Sequence, residues 1–190
     1  MGTTSIRLAT AADAEQIRSI YNYEVMHTTA TFDLVPRSLA DQQEWLAARS
    51  GAFAAIVAVD TDTDVDTDVD TDVDVGAKTA VDLEGGAGQV VGFGALSPYK
   101  ERAAYRTSVE NSVYVRSDCQ GRGIGRLLLQ ELLNTAELSG FHAVFARINA
   151  TGDASIALHT RCGFQLVGIE REVGRKFSRW HDVALMQRLL

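Results

Sequence analysis

DCQGRGIGRLLLQELL, residues 118–133, sets three glycines and two arginines directly ahead of a leucine-rich run. The leucines recur with the spacing of one helical face, while ENSVYV just before the stretch (residues 110–115) has the character of a strand. A glycine-rich turn between strand and helix is suited to a phosphate, because the first helical N–H groups lack intrahelical partners and lie at the positive end of the helix dipole. Two common phosphate turns do not fit. A dinucleotide fingerprint beginning at Gly121 and Gly123 needs a glycine at position 126, which is arginine. A nucleotide P-loop ends in Gly-Lys-Ser or Gly-Lys-Thr, and GIGRLL does not.

The chain has 190 residues, enough for one domain with a substantial core. No apolar run approaches the length that spans a bilayer, and MGTTSIRLATAADAEQI lacks the apolar centre of a signal peptide. Cys119 and Cys162 are too few for a disulfide scaffold, so the expected compartment is the cytoplasm and no membrane partner is expected. The formal charge of −7 is unevenly distributed. DTDTDVDTDVDTDVD, residues 60–74, holds eight of the 25 acidic residues, leaving 17 against 18 Lys plus Arg. The body is therefore nearly neutral and carries no basic stripe for nucleic acid.

Alternating Asp with Val and Thr would stack like charges along one strand face, so the acidic run reads as a solvated loop. A site for multivalent cations is the alternative, although the run lacks the glycine turn and ligand spacing of aspartate-built calcium loops. Glycines at 76, 85, 86 and 88 extend the segment, and 61–89 is expected to be an insertion within a single domain spanning 1–190. No metal centre is expected.

Around this segment the pattern predicts SIRLA as a first strand, then a helix capped by Asp13 that ends near Tyr23. YNYEVMHTTATFDL reads as a loop whose polar atoms line something, and Ser38 caps a second helix burying Leu39, Trp45 and Leu46. AFAAIVAVD and QVVGFGALS form a hairpin across the insertion. RTSVENSVYV and HAVFARIN flank a helix over Gly123–Ser139, which implies a right-handed parallel crossover. A short helix near Ser155–Thr160, the strand FQLVGIERE, a polar–aromatic loop and the strand DVALMQRLL complete an α+β (α/β-like) domain with a mixed sheet.

The turn Q-G-R-G-I-G resembles the acyl-coenzyme A pyrophosphate loop of the GNAT superfamily of N-acetyltransferases, with Gln120, Gly123 and Gly125 at its defining positions. IYNYEVMHTTATFD, YRTSVENSVYV, NATGDASIALHTRCGF and VGRKFSRWHDVALMQRLL resemble, in that order, the phosphinothricin and methionine sulfoximine N-acetyltransferase family. The resemblance runs from about Ile6 to Leu190 and implies a GNAT fold with acetyl-coenzyme A as cosubstrate. It also implies acetylation of the α-amine of a small amino-acid analogue, and a homodimer. A protein N-terminus or a polyamine is the rival acceptor, and a non-catalytic acyl-coenzyme A sensor is the rival class.

The resemblance implies roles for particular residues. Gln120, Gly121, Arg122, Gly123, Ile124, Gly125 and Arg126 would surround the pyrophosphate, although Arg126 reads equally well as a solvated helix residue. Backbone groups of Val113, Tyr114 and Val115 would bond the pantetheine arm as an added strand, with the Tyr114 side chain open to a packing role. Asn149 and Ser155 would contact the coenzyme, or else cap local backbone groups. An amine must lose its proton before it attacks a thioester, and Glu110 is the base candidate; a strand-edge pair with Arg106 is the alternative. His159 stands where many relatives carry a tyrosine that protonates the leaving thiolate, and packing is its alternative. Lys100, Arg102, Tyr105 and Arg106, with Lys176 and Phe177 from the later loop, are the candidates for holding the acceptor.

Overall fold

The computed structural model describes residues 4–60 and 88–190. The readings of the acidic run as solvated loop or cation site therefore fall mainly on residues 61–87, outside the described residues. Among the described residues seven strands form one sheet: β1 (Thr4–Leu8), β2 (Ile56–Asp60), β3 (Gln89–Pro98), β4 (Ser108–Val115), β5 (Ala143–Asn149), β6 (Gln165–Lys176) and β7 (Arg179–Leu189), in the order β1-β2-β3-β4-β5-β7-β6. Only β4 and β5 are parallel, joined by the expected crossover through α3 (Ile124–Leu138). The remaining helices are α1 (Ala14–His27), α2 (Leu39–Ala47) and α4 (Asp153–Arg161). The α+β domain with a mixed sheet is thus the observed fold.

The sheet divides the core in two. On one face α3 buries Leu128, Leu129 and Leu132 against Val109, Val144 and Ala146. On the other, Ile17, Ile20 and Tyr21 of α1 meet Val57, Val59, Val90 and Phe93. The unbroken apolar run IVAV of β2 follows from this arrangement, since Ile56 and Ala58 serve one core and Val57 and Val59 the other.

Three local expectations need correction. Helix α1 continues past Tyr23 to His27, because the inward spacing is kept by Glu24 and Val25, both buried. A carboxylate in the buried stripe hid that last turn from a reading of apolar periodicity. Asp13 does not cap α1; its carboxylate turns back to accept from Thr10 N at 2.7 Å and pairs with Arg7. In α2, Ser38 caps as expected by accepting from Asp41 N, but Leu39 lies 42% exposed and Gln42 takes the inward position.

Strands β2 and β3 pair Asp60 with Gln89, so the chain leaves and rejoins the sheet at adjacent points. We therefore expect that replacing residues 61–87 with a two-residue Asn-Gly turn will leave the melting temperature within a few degrees of the parent. Calorimetry checks this, and a large fall would mean that the segment supports the core.

Candidate active site

Strands β4 and β5 hold together only briefly. Their ladder joins Ser108–Glu110 to Ala143–Phe145 and then ends, whereas β3 stays paired with β4 as far as Val115. From Asn111 onward, β4 keeps one edge in the sheet and turns the other away from β5. Asn111 occupies the fork. Its Nδ2 donates to Phe145 O at 2.9 Å, and its Oδ1 lies 3.1 Å from His159 Nε2. His159 Nδ1 in turn donates to Ser155 O at 2.8 Å. This buried amide–imidazole wedge ties α4 to the point of divergence. The open edge at Val113, Tyr114 and Val115 is of the kind that accepts an extended ligand as an added strand.

At the far end of β4 the chain turns through Gly121 (φ 78°) and Gly123 (φ 83°), left-handed conformations that glycine adopts without strain. Gly123 caps α3, and its carbonyl already accepts from Arg126 N and Leu127 N. The N–H groups of Ile124 and Gly125 belong to the first turn and have no intrahelical acceptor, leaving donors for an anion. The side chains of Gln120 and Arg126 are exposed at the rim. Arg122 is not free there, because its Nη2 holds Asp60 Oδ2 at 2.7 Å. This pairing holds its guanidinium above the ordinary arginine value.

Glu110 is half-buried on the last paired residue before the fork. Burial raises its carboxyl above the usual glutamate range, with nearby Arg147 opposing the shift and Glu170 adding to it. The alternative pairing with Arg106 does not occur: Arg106 lies exposed and donates to its own turn at Ala103 O. Phe145, opposite Glu110 on β5, stacks on Tyr99 with ring centres 4.0 Å apart. Lys100 Nζ lies 4.9 Å from the centre of the Tyr99 ring and 5.2 Å from that of Tyr105. Glu110 thus lies between the open strand edge and, by way of Phe145, the Tyr99–Lys100–Tyr105 cluster.

Comparison with known proteins assigns this architecture. Residues 33–164 match the acetyltransferase (GNAT) family. The chain belongs to that family. It is 36% identical over 186 residues to an L-methionine sulfoximine/L-methionine sulfone acetyltransferase of Pseudomonas paraeruginosa, covering 97% of this chain and 94% of the relative. A GNAT superfamily phosphinothricin acetyltransferase from Sinorhizobium meliloti, solved in complex with acetyl-coenzyme A, superposes with a TM-score of 0.81 at 33% identity, over 99% of this chain and 89% of that one. A ribosomal-protein-alanine N-acetyltransferase from Brucella melitensis gives 0.81 at 35% identity, over 98% and 99%. The protein is an N-acetyltransferase.

The Tyr114 side chain faces the α1 side of the sheet. The Tyr114 ring packs on Phe93 and Tyr21, with centres 5.1 and 5.3 Å away, and burial pushes its phenol well above the ordinary tyrosine value. The side chain is therefore core packing, while its backbone lines the open edge. Asn149 Oδ1 accepts from Thr151 N at 2.9 Å and Oγ1 at 2.7 Å, and its Nδ2 meets His181 Nδ1 at 3.3 Å; these contacts match the capping alternative. Ser155 contributes its carbonyl to His159. The polar–aromatic loop expected before the last strand is instead a tight hairpin: β6 runs to Lys176, β7 starts at Arg179, and Phe177 and Ser178 turn at φ 50° and 61°. No glycine or asparagine announces that turn, so its sequence carried no signal. Lys176 points inward, 3% exposed, while Phe177 is exposed. Residues not anticipated by name are Thr31, Asp33 and Arg37. Thr31 Oγ1 lies 3.1 Å from Tyr21 OH, which donates to Asp33, while Arg37 covers the Tyr21 ring at 3.8 Å. Arg147 was also missed, although alternation along AVFARIN places it on the face of Phe145.

Proposed function

We propose that the enzyme transfers the acetyl group of acetyl-coenzyme A to the α-amine of a small amino-acid analogue of the phosphinothricin, methionine sulfoximine or methionine sulfone type. The observation that carries this reading is the position of Glu110, half-buried at the fork between an open strand edge and the Tyr99–Lys100–Tyr105 cluster. Acetyl-coenzyme A supplies the activated acyl group. The free edge at Val113–Val115 holds its extended arm, and the first-turn N–H groups of Ile124 and Gly125 bind its pyrophosphate. Glycines at 121 and 123 keep side chains out of that approach, with Gln120 and Arg126 at the rim. Arg122 joins the phosphates only by releasing Asp60.

Glu110 takes the proton from the incoming ammonium, directly or through water. The freed amine attacks the thioester carbon while a backbone N–H of the Val113–Val115 edge donates to the carbonyl oxygen. The C–S bond then breaks, coenzyme A leaving as a thiolate that takes up the second amine proton from solvent. Lys100 is placed to attract the acceptor's anionic group, with Arg102, Tyr105 and Arg106 at the exposed margin. His159 serves the fork as a structural wedge. Its Nδ1 is spent on Ser155 O and its Nε2 faces Asn111 Oδ1 in a buried position, which leaves no ring nitrogen free to protonate the thiolate.

The names of the Pseudomonas and Sinorhizobium relatives support a small amino-acid analogue, whereas the Brucella relative supports a protein N-terminus as the second reading. The test is kcat/KM for acetyl-coenzyme A-dependent thiol release with L-methionine sulfone, phosphinothricin, an Ala-initiated peptide and spermidine. We expect the amino-acid analogues to lead by about tenfold or more, and a leading peptide would transfer the assignment to the second reading. The apolar side chains exposed on β6 and β7 (Val167, Ile169, Val173 and Trp180) support a homodimer through this edge. Light scattering showing only monomer at micromolar concentration would refute that part. No helix among the described residues is long and apolar enough to cross a membrane, and the proposed compartment is the cytoplasm.

A further inference from the structure

The segment between α1 and α2 has no regular structure through residues 28–33, yet its shape is fixed from outside. Lys176, at the end of β6, sends its ammonium into the protein. Nζ donates to Thr31 O at 2.7 Å and to Glu24 O at 3.2 Å. Glu24 O also accepts from Thr28 N and lies in the last turn of α1, where the helix dipole favours a cation. A buried ammonium needs compensation. The two carbonyls supply it, together with the attraction of the Glu24 and Asp33 carboxylates.

A second contact constrains the next residue. A Cβ added at Gly174 would lie 2.2 Å from Phe32 Cε2 and 2.5 Å from Cδ2, so the aromatic ring occupies space that only glycine leaves open. The ring also lies beside His181, the cross-strand partner of Gly174, with ring centres 5.8 Å apart. The imidazole is itself held, since Nε2 donates to Lys176 O at 3.0 Å and Nδ1 faces the Asn149 amide. Hairpin, loop and the end of β5 are thus linked by consecutive contacts. On the loop's inner side, Thr31 and Asp33 reach Tyr21, which packs against Tyr114 of β4.

We propose that Lys176 and Gly174 are positioning residues, through which the β6–β7 hairpin holds residues 28–33 in the shape that forms the acceptor side of the site, without contacting coenzyme. This rests on the proposed role of Glu110, which alternation along β4 puts on the same face as Tyr114, the face that Tyr21 and, through it, Thr31 cover. It reassigns Lys176 from substrate contact to support of the loop. It also makes acceptor affinity depend on a hairpin whose outer face carries the exposed Phe177 and Trp180.

The test uses the full-length enzyme and the variants Lys176→Met and Gly174→Ala, each with two readouts. Amide hydrogen exchange should accelerate about tenfold or more within residues 28–33 and stay unchanged in residues 108–126. Acceptor KM should rise about tenfold or more, while the Kd for acetyl-coenzyme A, by calorimetry, stays within about twofold. In a Phe32→Leu background, Gly174→Ala should add little to either effect, because its target ring is gone. Unchanged loop exchange would overturn the proposal, as would a loosened loop with an unchanged acceptor KM. So would a rise in coenzyme Kd equal to that in acceptor KM. Failure of the underlying functional reading shows separately, as an unmodified enzyme that transfers to none of the amino-acid acceptors.

Discussion

Glu110→Gln is expected to lower kcat by about 10²-fold or more, with the affinity for acetyl-coenzyme A unchanged. Glutamine keeps the shape and a hydrogen-bonding oxygen but cannot take a proton from an ammonium. The pH profile separates this from a binding defect. Burial raises the Glu110 carboxyl above its ordinary value, and a base works only when deprotonated. Activity of the parent should therefore fall as pH drops through that raised value, and the same limb should be missing from the variant. Stability moves in the opposite sense. A carboxyl with its folded pKa above its unfolded one favours the fold when protonated, and that benefit is lost as pH rises from the unfolded value through the folded one. Glu110→Gln should thus melt no lower than the parent at neutral pH, so lost activity with an unchanged or higher melting temperature is the combined signature. Near-normal turnover with the acidic limb intact would remove Glu110 from the role.

Gly123→Val should weaken acetyl-coenzyme A binding about tenfold or more, measured by calorimetry. The residue caps α3 at φ 83°, and a Cβ built there meets nothing within 4 Å, so the change acts on the backbone and on whatever approaches from outside. A left-handed L-residue costs roughly 1–2 kcal/mol, and more when β-branched. Relieving that strain would rotate the first N–H groups of α3 away from the phosphate site. Leu127→Ala, an exposed change one turn into the same helix, should leave binding unaltered. Equal effects from the two variants would mean that this turn does not hold the coenzyme.

The glycine turn ahead of α3 was legible in the sequence for physical reasons. Positive-φ turns demand glycine, and a strand followed by a leucine-periodic helix fixes where the turn must lie, so Gly121, Gly123 and the parallel crossover could be read directly. Glu110 was singled out by the family resemblance, and by being a carboxylate in a strand whose neighbours face the core. The proposed acceptor side depends on contacts between distant segments. Lys176 meets Thr31 and Glu24 across about 145 to 152 residues of chain, and no local pattern marks a lysine as inward-facing. The hairpin at Phe177–Ser178 lacks the usual turn residues, and the last turn of α1 was hidden because Glu24 breaks its apolar stripe. The Asn111–His159 wedge required knowing where β4 and β5 part, which is a property of the assembled sheet.

Transfer itself is tested most directly by incubating the enzyme with acetyl-coenzyme A carrying a ¹³C-labelled acetyl group and with L-methionine sulfoximine, and following the label by NMR. A new resonance of an acetyl amide on the α-nitrogen, growing with enzyme concentration and suppressed in Glu110→Gln, is the predicted result. Label that stays on the coenzyme while calorimetry shows the coenzyme bound, or that moves only to an Ala-initiated peptide supplied in parallel, would contradict it.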